Sequence, residues 1–388
     1  MTSTTTPELR FPAWPQFGDE ERTGLIRALE QGQWWRVTGN EVDTFEQEFA
    51  AYNGAGHALA VTNGTHALEL ALQVLGVGPG DEVIVPAFTF FSSAQAAQRL
   101  GAIAVPVDVD AVTFNIDPAA VEAAITPATK VIMPVHMAGL MADMDALSKL
   151  AADAGIALLQ DAAHAQGTEW RGTRVGDLGS IAAYSFQNGK LMTAGEGGAV
   201  TFPTAELREQ AFIRHSCGRP ISDRHYLHQN SASNFRMNEF SAAVLRAQLA
   251  RLDAQTAVRD QRWPLLSGLL GQIPGVQPQG GDDRATRNVH YMAMFRVPGI
   301  GEQARNALVD RLVALGIPAF AGFRALHRVP GFWETGAPDE TPDAIGARCP
   351  NSEAISTDTV WLHHRVLLAD EDTLHTTAEL IADAVTRR

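Results

Sequence analysis

Cysteine is nearly absent from this chain of 388 residues, with Cys217 and Cys349 the only two. Two are too few for a disulfide framework, and no CxxC pairing offers the spacing zinc prefers, so a reduced compartment fits. Runs of lysine or arginine are absent too. With 30 basic against 44 acidic residues the formal charge is −14, and nucleic acids or anionic membranes would be repelled unless a local basic patch overcame the field. No stretch approaches the roughly 18 to 20 apolar residues that cross a bilayer, and MTSTTTPELRFPAWP has no basic cluster followed by an apolar core. The expectation is a cytoplasmic protein with no nucleic-acid and no membrane partner. His215, His290, His327 and the pair His363-His364 have no HExxH or acidic-histidine cluster around them, so no metal is expected.

What is present is a chain with 45% hydrophobic side chains, long enough for one large and one smaller domain, each with its own core. From about residue 57 short β-branched or apolar runs alternate with longer helical patterns, which predicts an α/β fold with a mainly parallel sheet covered by helices. Seven runs read as strands: Ala58–Thr62, Glu82–Pro86, Ala102–Val107, Lys130–Val135, Ile156–Gln160, Gly179–Ser185 and Gly198–Phe202. Helices are expected at Thr65–Leu75, through Ser93–Leu100, and over Asp143–Ala154, where Met144, Leu147, Leu150 and Ala151 keep a 3.6-residue period. A long helical pattern from Asn238 leads to a smaller C-terminal α+β domain with a strand at Val289–Val297, a helix at Glu302–Leu315, and DEDTLHTTAELIADAVTRR as a closing helix. The division falls near residue 255, giving a large domain over 1–255 and a small one over 256–388, with the N-terminal segment packing on the small domain.

Ligands of open α/β sheets collect beyond the carboxyl ends of strands, and four such places carry chemistry. At Asn63-Gly64-Thr65-His66 a glycine lets the backbone come close and a helix N-terminus offers free N–H groups to a phosphate; an ordinary capped turn has the same sequence. In Pro86-Ala87-Phe88-Thr89-Phe90 an aromatic ring, Phe90 by preference, is placed to cover a flat heteroaromatic ligand, or else is core. Asp161 in Gln160-Asp161-Ala162-Ala163-His164 closes an apolar strand with no neighbouring base, so its carboxylate needs a cation such as a pyridinium nitrogen, unless it only caps a helix. Lys190 stands in SFQNGKLMTAGEGG among apolar residues and glycines. Partial burial would lower its pKa and free the amine to condense with an aldehyde, with Ser185 adding a phosphate contact; an exposed loop lysine is the alternative.

Together these residues resemble the DegT/DnrJ/EryC1/StrS family of sugar aminotransferases, whose SFxxxK…GEGG stretch is matched by Ser185, Phe186, Lys190 and Gly195–Gly198. The resemblance implies the fold type I of pyridoxal-phosphate enzymes, aspartate aminotransferase-like, and pyridoxal 5′-phosphate as cofactor. It implies Lys190 as the catalytic residue that also binds the cofactor, Asp161 on the pyridine nitrogen, His164 beside the ring, Phe90 stacked on it, and Gly64, Thr65 and His66 with Ser185 on the phosphate. The stretch Ala232-Ser233-Asn234-Phe235-Arg236-Met237 resembles the family's G-x-N-x-R-M, which implies a homodimer in which Asn234 reaches the neighbouring subunit's cofactor. Ala232 departs from the family's frequent glycine. Relatives that deoxygenate sugars carry histidine in place of the lysine, and Lys190 argues against that chemistry here.

The segments FPAWPQ, LEQGQWWR, NGTHALELALQV, VIMPVHMAGLMADMDAL and RHSCGRP resemble family members that dehydrate and aromatise a small aminoshikimate-pathway intermediate. What this implies is a lyase in which Lys190 acts as base and acid. A transaminase acting on a keto-sugar or keto-cyclitol is the alternative, alone or in the same enzyme. A non-catalytic regulator that keeps the cofactor would lack the lysine or add a DNA-binding segment, and neither is seen. Arg219, Arg236 and Arg365 are candidates for a substrate carboxylate. Trp34-Trp35-Arg36 is expected to pack in the core or a dimer interface rather than line the site, and Cys217 to be structural.

Overall fold

The apolar runs from residue 57 onward become strands of one sheet in a computed structural model that describes residues 9–386. Its strands are β1 (His57–Val61), β2 (Glu82–Pro86), β3 (Ile103–Val107), β4 (Thr129–Ile132) and β5 (Ala157–Asp161). A short hairpin of β6 (Glu169–Trp170) and β7 (Thr173–Arg174) precedes β8 (Ile181–Ser185) and β9 (Gly198–Phe202). The seven-stranded order is β1-β9-β8-β5-β4-β2-β3. Only β9 runs against its neighbours, so the sheet is mainly parallel. Every residue of β8 and β9 is buried, as strands covered by helices on both faces require.

The covering helices begin where the sequence supplies caps. After α1 (Asp19–Gln31) and α2 (Glu41–Tyr52), Asn63 accepts from the His66 N–H at the start of α3 (Gly64–Val74). After α4 (Ser92–Gln98) and α5 (Pro118–Ala124), Asp143 caps α6 (Met144–Ala154) and Thr204 caps α7 (Ala205–His215). One core lies against α2 and another against α3, α4 and α7.

The long helix α8 (Glu239–Gly271), capped by Asn238, passes through residue 255 unbroken. Its Leu245, Leu249 and Leu252 pack in the large core, whereas Leu266 and Leu270 belong to the small one. The chain thus changes core inside a helix. Beyond it lie β10 (Gln277–Pro278), β11 (Met292–Arg296), α9 (Glu302–Ala314), β12 (Ala319–Ala321), α10 (Pro342–Arg348), α11 (Pro350–Asp358), β13 (Thr359–His363) and α12 (Glu371–Thr386). The four strands form an antiparallel sheet in the order β10-β11-β13-β12. Leu9 and Phe11 pack against this small core, while Leu326, Phe332, Ile345 and Cys349 return to the large one. Among the described residues no helix is long and apolar enough to cross a membrane. The first eight residues, part of the segment read for a leader, and Arg387 and Arg388 of the closing helix lie outside the described residues.

Candidate active site

A cleft of about 850 Å³ opens at the carboxyl ends of β1, β2, β5 and β8, where the strand order places the residues singled out in the sequence side by side. Gly64, Thr65, His66, Phe90, Asp161, His164, Ser185 and Lys190 all line it. Asn234 does not; it is exposed on a separate segment, its Oδ1 accepting from the Arg236 N–H at 3.2 Å.

Glycine is dictated at two contacts. A Cβ on Gly64 would stand 2.7 Å from the Ser185 Cβ, and one on Gly198 would stand 2.4 Å from the Asn63 carbonyl oxygen. The GEGG stretch therefore ends in glycine because the Asn63-Gly64 backbone presses on the start of β9. This contact seats the N-terminus of α3 beside the Ser185 hydroxyl. The N–H groups of Gly64 and Thr65 have no intrahelical acceptor there, which makes the turn a cradle for an anion. The His66 ring packs on Phe235 with centroids 4.4 Å apart, and its N–H is held by Asn63 Oδ1 at 2.8 Å.

Asp161 ends β5 with its carboxylate buried. Ser93 Oγ donates to Oδ2 at 2.8 Å and the Ala163 N–H donates to Oδ1 at 3.2 Å. Burial raises its pKa, while the two hydrogen bonds and the Lys190 charge favour the ionised form. Burial pushes the Lys190 ammonium down to about 8, with the Asp161 charge acting the other way. This amine lies over the Tyr291 ring, 4.5 Å from its centroid. His164 stacks on the same ring, centroids 4.4 Å apart and planes 25° apart. Burial holds His164 neutral, and among the described residues its Nδ1 has no partner. Phe90 is 59% exposed and edges Phe323 across the cleft.

A pyridine ring carrying a phosphate at one end and an aldehyde near the other fits these groups. The anion cradle at Gly64 and Ser185, the buried carboxylate of Asp161, and a low-pKa amine at Lys190 are its three complements, and the orphaned His164 ring lies beside them.

Several site residues escaped the sequence reading. Thr89 and Ser93 share a contact of 3.1 Å behind Asp161; their four-residue spacing across the start of α4 was the available signal. Tyr291, Phe323 and the stacked pair Phe320–Trp361, 4.3 Å apart, come from the chain beyond α8 and carried none. None of the three candidate arginines lines the cleft. Arg219 is held by Asp223 and Arg236 by Ser216. The lining arginine is Arg99, paired with Glu69 at 2.7 Å. Of the expectation that the tryptophans pack in the core or a dimer interface, the core half is corrected: Trp34 and Trp35 are each 51% exposed on the single chain and do not line the cleft, whereas Arg36 beside them is buried, on Glu46 at 2.7 Å. Ala232 is not among the residues with positive φ, so glycine is not needed there.

Comparison with known proteins places this geometry. The sequence profile of the DegT/DnrJ/EryC1/StrS aminotransferase family matches residues 16–380. The chain is 72% identical over 389 residues to 3-amino-5-hydroxybenzoate synthase of Amycolatopsis mediterranei, covering 100% of both chains. It is 35% identical to L-glutamine:2-deoxy-scyllo-inosose aminotransferase of Streptoalloteichus tenebrarius, covering 96% of this chain and 93% of that one. A crystal structure of 3-amino-5-hydroxybenzoic acid synthase superposes with a TM-score of 0.98 at 72% identity, over 98% of this chain and 100% of the other.

Proposed function

The chain belongs to the DegT/DnrJ/EryC1/StrS aminotransferase family, and from that membership we propose that it dehydrates and aromatises 5-amino-5-deoxy-3-dehydroshikimate to 3-amino-5-hydroxybenzoate. The product is the aromatic starter unit of ansamycin-type antibiotics. The observation that carries this reading is identity of 72% along the whole chain to a synthase of that product, against 35% to a cyclitol aminotransferase. The cofactor is pyridoxal 5′-phosphate, which when bound through the Lys190 amine supplies an electron-poor ring that accepts the electron pair left on the substrate's amine-bearing carbon.

The residues of the cleft divide the remaining work. Gly64, Thr65 and His66 with Ser185 hold the phosphate, and Asp161 keeps its negative charge against the pyridine nitrogen with Ser93 and Ala163 bonded to it. Phe90 covers the ring and His164 lies beside it. Lys190, whose burial lowers its pKa to about 8 and so raises the share of free amine, removes the proton from the amine-bearing carbon. The hydroxyl of the next carbon leaves, and enolisation of the ketone closes an aromatic ring, which makes the reaction strongly downhill.

Two copies of the chain share their sites in this reading, with Asn234 of one reaching the cofactor of the other. Its support is the apolar surface left uncovered by a single chain at Phe17, Leu25, Ile26, Leu29, Trp34 and Trp35. The site needs no metal, and the enzyme works in the cytoplasm.

The test is to incubate the holoenzyme with the aminodehydroshikimate and no amino donor. Aromatic absorbance growing at constant cofactor spectrum is expected. Product that appears only when an amino donor such as L-glutamine is added would make the chain a transaminase and overturn the reading.

A further inference from the structure

Loss of water requires a proton to leave carbon and another to reach oxygen, and the lyase reading, on which this inference rests, would have Lys190 alone serve both. Tyr291 stands where the second is needed. It lines the cleft just before β11, its ring stacked on His164 and its centroid 4.5 Å from the Lys190 Nζ. The backbone fixes it there. Its N–H donates to the Ala138 carbonyl at 2.8 Å, and the neighbouring Val289 fills the place where a Cβ on Gly139 would stand. Ala138 and His290 both hold positive φ, 59° and 51°. Such backbone is rare for residues with a Cβ and persists only where the surroundings over-determine it.

The hydroxyl end of Tyr291 lies near the lysine loop, 3.8 Å from where a Cβ on Gly189 would be. Among the described residues no hydrogen bond engages it, and burial alone raises its pKa, so the phenol stays protonated and is a donor in search of an acceptor. Of the other hydroxyl donors on the cleft, Thr89 is in contact with Ser93 and Thr65 Oγ1 donates to Ser92 Oγ.

We propose that Tyr291 is the general acid of the elimination, donating its phenolic proton to the departing hydroxyl while its ring face holds the ammonium that Lys190 has become. The bookkeeping closes. The C–H bond breaks with its proton going to the Lys190 amine, its electron pair forms the new C=C bond, and the C–O bond breaks with its pair staying on oxygen. That oxygen takes the Tyr291 proton and leaves as water. The phenolate then takes the proton from the Lys190 ammonium, returning both side chains to their starting states without any oxidant or reductant.

Tyr291→Phe keeps the ring and removes the acid. In deuterated buffer with the aminodehydroshikimate, this variant should exchange the hydrogen on the amine-bearing carbon at the wild-type rate by NMR. Its aromatic product should form about 100-fold more slowly, the lower range of a lost general acid. Without substrate, the pH titration of its cofactor absorbance should match wild type. Product formation at the wild-type rate, parallel loss of exchange and product, or a shifted cofactor titration would each overturn the proposal. If the wild-type chain itself makes no aromatic product, the lyase reading falls instead, and the inference with it. Aromatic product from wild type and equally from Tyr291→Phe would leave that reading standing and remove Tyr291 from it.

Discussion

Ser93 Oγ donates to Asp161 Oδ2 at 2.8 Å, joining the first turn of α4 to the end of β5 across 68 residues of chain. The bond matters because burial alone pushes the Asp161 carboxyl up, toward the neutral form that could not oppose a pyridinium. Ser93→Ala removes the largest force holding it ionised. A hydrogen bond to a charged group contributes about 1.5–3 kcal/mol, so turnover should fall by about 10- to 100-fold and the cofactor should bind more weakly. Ser93→Thr, which keeps the hydroxyl, should recover much of both. Absorbance titration of the cofactor-free protein with pyridoxal 5′-phosphate checks this, and unchanged affinity and turnover in the alanine variant would remove Ser93 from the site's electrostatics.

The lysine responds to pH in a direction the structure fixes. Only the free amine attacks an aldehyde, and burial brings Lys190 down to about 8, so the rate of cofactor attachment should rise with pH, pass half-maximum near that value and then level off. An ordinary lysine would still be climbing toward about 10.4. Asp161 opposes the shift, so Asp161→Asn should move the profile to lower pH. Stopped-flow absorbance against pH measures both. Identical profiles would show that the charge at 161 does not reach Lys190, and Lys190→Ala should show no attachment at any pH.

How much of this was written in the sequence depends on what each element packs against. The seven strands were legible because β2, β8 and β9 are buried on both faces and so read as unbroken apolar runs. The helices α1 and α2 were not. α1 buries Glu21, Gly24 and Ala28 and exposes Ile26 and Leu29, which inverts the usual pattern. α2 buries Glu41 against Arg27 and Arg246 and Glu46 against Arg36, so charges interrupt its apolar stripe. The residues proposed for the cofactor lie at strand ends and line one cleft, and motif reading reached those positions. Tyr291 and Phe323 lie beyond α8 in the chain yet pack on the large core, and only tertiary structure brings them to Lys190.

The two glycine constraints near the phosphate cradle separate packing from backbone conformation. Gly198→Ala would drive a methyl to 2.4 Å from the Asn63 carbonyl oxygen and 2.9 Å from the Gly64 nitrogen, backbone atoms that cannot step aside. Overpacking of this kind costs about 1–3 kcal/mol, and relief by moving the Asn63-Gly64 turn should also weaken cofactor binding. Gly195→Ala meets nothing within 4 Å but holds a φ of +83°. It should cost roughly 1–2 kcal/mol of stability through that conformation and leave affinity unchanged. Denaturation midpoints with cofactor titrations distinguish them. Equal loss of affinity in both variants would mean that the loop as a whole, rather than the Gly198 contact, seats the anion site.

Asn234 lies away from its own chain's cleft on an exposed segment, and its assignment to a neighbour's cofactor can be tested by complementation. Homodimers of Lys190→Ala have no amine in either site, and homodimers of Asn234→Ala lack the neighbour's contact in both. A mixed dimer is different if sites are shared. The site with the intact lysine then receives an intact asparagine from the other chain, and the remaining site lacks both. Random mixing of equal amounts makes half the dimers mixed with one whole site each, so activity should return to about a quarter of wild type by the symmetry of a two-fold pair. If Asn234 served only its own chain, mixing would create no whole site, and activity would stay at the average of the two parent variants. Size-exclusion chromatography with light scattering on the same samples would show whether a dimer forms at all, and a monomer retaining full activity would end the shared-site reading.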